Sequence, residues 1–115
     1  MKIAIWARVS SQEQDASTQL EPLRTLAAQL GGEIVYEYVL NESATGKRGR
    51  RKEFDLMMQD AARRRFDLLL FYNLSRFSRE GVRKTIHYLE RLDSHGVRFK
   101  SLQEPLLDTD NEMIR

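Results

Sequence analysis

The chain contains no cysteine. That excludes disulfides, thiolate metal sites and a cysteine nucleophile, and it suits a reducing compartment. Long hydrophobic runs are also missing. A stretch such as Leu68-Leu69-Leu70-Phe71-Tyr72 is far short of the ~20 residues that cross a bilayer. At the N-terminus, Ile3-Ala4-Ile5-Trp6-Ala7 is broken at once by Arg8, which is not the pattern of a signal peptide. The expectation is a cytoplasmic protein with no membrane partner. No glycine-rich phosphate loop occurs, and no acidic and histidine residues cluster at metal-ligand spacing. A metal is therefore not expected, and a phosphate-binding domain of the glycine-rich-loop kind is disfavoured. Internal repeats and low-complexity linkers are absent too, so the 115 residues read as one domain.

What is present is charge, unevenly spread. The net charge is only +2, but Lys47-Arg48-Gly49-Arg50-Arg51-Lys52 places five cations in six residues. Phosphate binding depends on such local clusters rather than on the total. A second run, Arg63-Arg64-Arg65, reads as a solvated helix end, where cations complement the dipole.

Hydrophobic periodicity orders the chain. Residues 2–9 read as a buried strand. Leu20, Leu23, Leu26, Ala27 and Leu30 follow at helical spacing. Thr18 and Glu21 look like the capping box of that helix, Pro22 falls in its first turn, and Gly31-Gly32 supply the stop. A second strand is expected over 33–40, then a polar, glycine-containing loop over 41–50. Phe54, Met57, Met58, Ala61 and Ala62 mark a second helix. Residues 66–72 read as a central strand and 97–102 as a short fourth one. Between them Val82, Ile86, Leu89 and Leu92 form a helical stripe stopped by Gly96. This alternation predicts an α/β fold: an open, mostly parallel sheet of four strands, with room for a fifth, and helices on both faces.

In such a sheet ligands bind beyond the carboxyl ends of the strands. The first strand delivers Arg8, Ser10, Gln12 and Gln14 to that edge. The second delivers the loop ending at Arg50, with Arg51 opening the next helix. The third delivers Asn73, Ser75, Arg76, Ser78 and Arg79. Asp67 lies at the opposite, amino end of its strand and is set aside. One hydroxyl-rich segment and several guanidiniums thus converge. A serine hydroxyl is a weak nucleophile unless the transition state is strongly stabilised. Arginine does this for phosphoryl groups, because it stays cationic and its planar fork matches phosphate oxygens.

These residues also carry a pattern. Trp6-Ala7-Arg8-Val9-Ser10-Ser11-Gln12-Glu13-Gln14 resembles the Tyr-Ala-Arg-Val-Ser-(x)3-Gln signature of the resolvase/invertase family of serine site-specific recombinases, in their N-terminal catalytic domain. Gln19, spaced from Leu23, resembles a second family glutamine. Residues 42–51, Glu-Ser-Ala-Thr-Gly-(x)4-Arg, resemble the loop leading to a family arginine. Asn73-Leu74-Ser75-Arg76-Phe77-Ser78-Arg79 is similar to Leu-Asp-Arg-Leu-(x)-Arg-Asp. Asp108-Thr109-(x)3-Met113 resembles the stretch that opens the family's long dimerisation helix.

The resemblance implies that Ser10 attacks a DNA phosphodiester to form a 5′-phosphoserine intermediate, and that rejoining needs no nucleotide cofactor. It implies that Arg8, Arg76, Arg79 and Arg51 hold the scissile phosphate, while Gln14 and Gln19 orient the serine loop. Lys47, Arg48, Arg50 and Lys52 would contact double-stranded DNA. A homodimer and a synaptic tetramer are expected of the full-length protein. The 115 residues are expected to be a catalytic domain cut at the start of the dimerisation helix, without the DNA-reading domain, and weakly active or inactive alone. The pattern is broken at Ser75, where the family has an aspartate; Trp6 and Lys52 stand for its tyrosine and proline. Ser75 favours an alternative, a non-catalytic DNA-binding or assembly module on the same fold.

Overall fold

Strand β1 (Lys2–Val9) is buried along its length after Lys2, as a strand covered on both faces must be. In the computed structural model, residues 1–9 and 13–105 are described, with the backbone alone for 13–14 and 42–50. The remaining elements are α1 (Glu13–Gln29), β2 (Glu33–Asn41), α2 (Glu42–Ala62), β3 (Leu68–Phe71), α3 (Leu74–Phe77), α4 (Val82–Ser94) and β4 (Arg98–Ser101). Among the described residues the sheet has four strands in the order β2-β1-β3-β4, and every pairing is parallel.

The strand period of two sorts β1 between two cores. Ile3, Ile5, Ala7 and Val9 join Leu68 and Leu70 of β3 against Leu20, Leu23 and Ala27 of α1. Ala4 and Trp6 join Leu69 and Phe71 against Phe54, Met57, Met58 and Ala61 of α2 and Leu89 and Leu92 of α4. Gly31 (φ +70) and Gly96 (φ +78) take the left-handed conformation after α1 and α4, the role glycine fills at helix ends.

Four expectations need correction. Helix α1 begins at Glu13 rather than at the Thr18 capping box, so Pro22 lies in its interior. An interior proline removes an N–H and costs about 3 kcal/mol; burial of Leu20 and Leu23 on either side of it offsets that. Residues 42–50 are helical, not a loop. Gly46 and Gly49 weaken a helix by about 1 kcal/mol each, but extending the amphipathic half already formed around Phe54–Ala61 requires no new nucleus. Strands β3 and β4 are shorter than expected, although Phe66 is fully buried. The buried stripe of α4 is Thr85, Leu89 and Leu92, leaving Val82 and Ile86 exposed. Thr85 tolerates burial because its hydroxyl donates to the Gly81 carbonyl at 2.7 Å. Among the described residues no helix is long and apolar enough to cross a membrane.

Candidate active site

Parallel pairing of β1 with β3 sets Trp6 beside Phe71, so the chain segments leaving the two strands start as neighbours. The segment after β3 is shaped first by Asn73. Its side-chain oxygen accepts from the Arg76 N–H at 2.8 Å and from the Ser75 hydroxyl at 2.9 Å, capping the single turn of α3. Its amide donates to Gln103 Oε1 at 2.9 Å. The Glu104 carboxylate accepts from the Leu74 N–H at 2.9 Å and from the Ser101 hydroxyl. The segment after β4 thereby clamps the start of the turn that carries Ser75 and Arg76.

The end of the turn is tied to β1. Trp6 Nε1 donates to the Arg76 carbonyl at 3.0 Å. Arg8 donates through Nε to the same carbonyl at 3.4 Å and through Nη2 to the Ser75 carbonyl. In return Arg76 Nη1 donates to the Arg8 carbonyl at 3.3 Å. Helix α1 adds Gln19, whose Nε2 donates to the Arg8 carbonyl at 2.9 Å. Gln19 is 1% exposed, and its Oε1 finds no hydrogen-bond partner among the described residues. Asp15 completes the group: its Oδ1 lies 3.5 Å from Arg76 Nη2 and accepts from Gln19 Nε2 at 3.4 Å.

Of the residues singled out in the sequence, Arg8, Gln19 and Arg76 are thus brought together. Arg8 is buried, and the bonds above direct its guanidinium at backbone carbonyls. Arg79 is exposed and lies beyond the end of α3. Helix α3 ends at Phe77, so Arg76 lies within that turn and Arg79 outside it. Ser75 is exposed, its hydroxyl turned to Asn73.

Arg51 stands in a second cluster. It pairs with Glu80 at 3.0 Å and with Asp55 at 3.8 Å. Glu80 also receives the Tyr88 hydroxyl and lies 3.8 Å from Lys84 Nζ. The Tyr88 hydrogen bond, with Lys84 and Arg51 nearby, holds the Glu80 carboxyl below the usual carboxylate range. Lys52 is exposed on α2. Lys47, Arg48 and Arg50 belong to the same helix, and Gln14 to α1, but their side chains lie outside the described residues, as do Ser10 and the 108–113 stretch. Asp67 does sit at the amino edge, where it accepts from the Lys2 N–H at 2.9 Å.

Asp15, Gln103 and Glu104 were missed in the sequence. Asp15 had one signal, its i,i+4 spacing from Gln19, which puts the two on one helix face. The others act across tertiary contacts that no local spacing reveals.

The class so defined is an open parallel α/β sheet with Arg8 and Arg76 gathered at the carboxyl edge of neighbouring strands. The chain belongs to the family described as Resolvase, N terminal domain, which matches residues 3–115; it is a serine-recombinase catalytic domain by family. No curated protein sequence matches it significantly. Solved structures do. The N-terminal catalytic domain of TP901-1 integrase is similar with a TM-score of 0.81 and 26% identity, over 98% of this chain and 85% of that one. A resolvase family site-specific recombinase from Streptococcus pneumoniae gives 0.76 and 24%, over 99% and 80%. The C-terminal catalytic domain of ISC1926 TnpA, an IS607-like serine recombinase, gives 0.73 and 24%, over 89% and 67%.

Proposed function

We propose that this chain is the catalytic domain of a site-specific DNA recombinase that works through Ser10. The Ser10 oxygen attacks phosphorus and loses its proton, the bond to the 3′ oxygen breaks, and that oxygen leaves as a 3′ hydroxyl after taking up a proton. The 5′ end stays on the enzyme as a phosphoserine ester. Attack by a 3′ hydroxyl of another strand reverses these steps and rejoins the DNA. The phosphodiester energy is conserved throughout, so no nucleotide cofactor enters.

The observation that carries this reading is the mutual clasp of Arg8, Gln19 and Arg76 at the end of β1, two residues before Ser10. Preorganised donors aimed at developing charge are the largest single source of rate enhancement in such chemistry. Arg76 supplies the cation there. Arg8 contributes by fixing the turn, while Arg79 and Arg51, the latter released from Glu80, add phosphate contacts. Gln14 and Gln19 orient the serine segment. Lys47, Arg48, Arg50 and Lys52 form a basic helical stretch for the flanking duplex. Function in the cytoplasm as a homodimer, and in synapsis as a tetramer, accords with this role.

The commitment of the Ser75 hydroxyl to Asn73 favours the second reading, a non-catalytic assembly module. Incubating the full-length protein with a pool of nicked, random-sequence duplexes, in which the cut fragment diffuses away, separates the two. The recombinase reading predicts a protein–DNA adduct that resists denaturation and disappears in Ser10→Ala. DNA binding without any Ser10-dependent adduct would establish the module instead.

A further inference from the structure

We infer that Asp15 is a positioning residue for the strand-cleavage reaction: it holds the Arg76 guanidinium and the Gln19 amide in their working orientation. This rests on the recombinase reading above. The carboxylate contacts both groups, at 3.5 Å from Arg76 Nη2 and 3.4 Å from Gln19 Nε2. Both also donate to one carbonyl, that of Arg8. Asp15 therefore closes a ring of contacts around the backbone that leads to Ser10.

Its place in the first turn of α1 accounts for an acidic residue, since the helix dipole favours one there. It does not account for the pairing of that aspartate with Arg76, which is distant in sequence and lies on α3 across the end of β1. The Asp15 side chain is only 19% exposed and the Arg76 side chain 36%, so the pair is partly withdrawn from water. The contact also sorts the Gln19 amide. With Nε2 taken by Asp15 and by the Arg8 carbonyl, the buried Oε1 is the atom left as an acceptor. Position 75, where the sequence pattern lacks its carboxylate, adjoins Arg76, and Asp15 provides a carboxylate to that arginine from another element.

The sign of the effect separates positioning from simple charge. A carboxylate near a phosphate site repels DNA, so on charge alone its neutralisation raises affinity and leaves cleavage equal or faster. If Asp15 positions Arg76, Asp15→Asn slows adduct formation at saturating DNA by about ten-fold or more, because orientation is lost, while DNA affinity changes by less than about two-fold. Asp15→Glu recovers part of the rate. In an Arg76→Lys background Asp15→Asn adds little, the non-additivity expected of residues in contact. Equal or faster cleavage by Asp15→Asn, or full additivity with Arg76→Lys, overturns the inference while leaving a Ser10-dependent adduct intact. Should the wild type form no adduct, the recombinase reading fails, and side-chain 15N NMR of the chain still decides the positioning claim. Restricted rotation of the Arg76 guanidinium that is released in Asp15→Asn supports it; a guanidinium equally mobile in both overturns it.

Discussion

Arg8→Met tests whether the first task of this arginine is to hold the turn after β3. The side chain is 7% exposed and donates to the carbonyls of Ser75 and Arg76. A hydrogen bond from a charged donor contributes about 1.5–3 kcal/mol, so two would give about 3–6. Three features lower that. The Arg76 carbonyl keeps its bond from Trp6 Nε1, exposed Ser75 allows its carbonyl to take water, and a cation near Arg76 is relieved. The expected loss is about 1.5–3 kcal/mol of unfolding free energy. In urea the midpoint falls with the slope unchanged. On heating, Tm drops by about 5–12 °C for a domain of this size. If Arg8 were instead a cation kept for substrate, its removal would leave stability unchanged or raise it, as relief of a strained functional site does. A variant as stable as the wild type would refute the reasoning.

Tyr38 and Asp60 form a buried pair, 1% and 3% exposed, joined by a hydroxyl–carboxylate bond of 2.6 Å. Tyr38→Phe is expected to cost about 1–3 kcal/mol, measured by urea unfolding. Burial and this bond push the Tyr38 hydroxyl well above its ordinary value; its stabilising contribution is full below about pH 10 and declines as pH rises beyond, a decline that Tyr38→Phe removes. Glu80 has the opposite sign. Its lowered pKa contributes stability above the ordinary carboxylate value that is lost as pH falls through the folded one, so Glu80→Gln flattens the acid limb of stability against pH. Replacing Lys47, Arg48, Arg50 and Lys52 by Gln is expected to reduce the slope of log affinity against log salt by up to about 3–4 if each meets one phosphate of B-DNA, read by fluorescence anisotropy on a random duplex.

How much of this was legible follows from where each signal lies. The bounds of β1 were legible in the apolar run Ile3-Ala4-Ile5-Trp6-Ala7, but the division of that run between two cores was not, because both faces are apolar. The first turns of α1 and α2 did not announce themselves, because 13–17 and 42–50 have no apolar stripe, and Gly46, Gly49 and Pro22 argue locally against helix. The convergence of Arg8 with Arg76 followed from their places at the carboxyl ends of strands in a parallel sheet. What their guanidiniums touch did not, since those partners lie 68 residues apart. Ion pairs such as Arg51–Glu80 depend equally on which helix faces meet.

The central claim is that Ser10 carries the DNA during exchange. The most direct measurement is mass spectrometry of proteolytic peptides from protein incubated with nicked duplex, after nuclease trimming. The account predicts a nucleotide mass on the peptide spanning Ser10, attached through a serine phosphodiester and lost in Ser10→Ala. A nucleotide on any other residue, or the same adduct in Ser10→Ala, would contradict it.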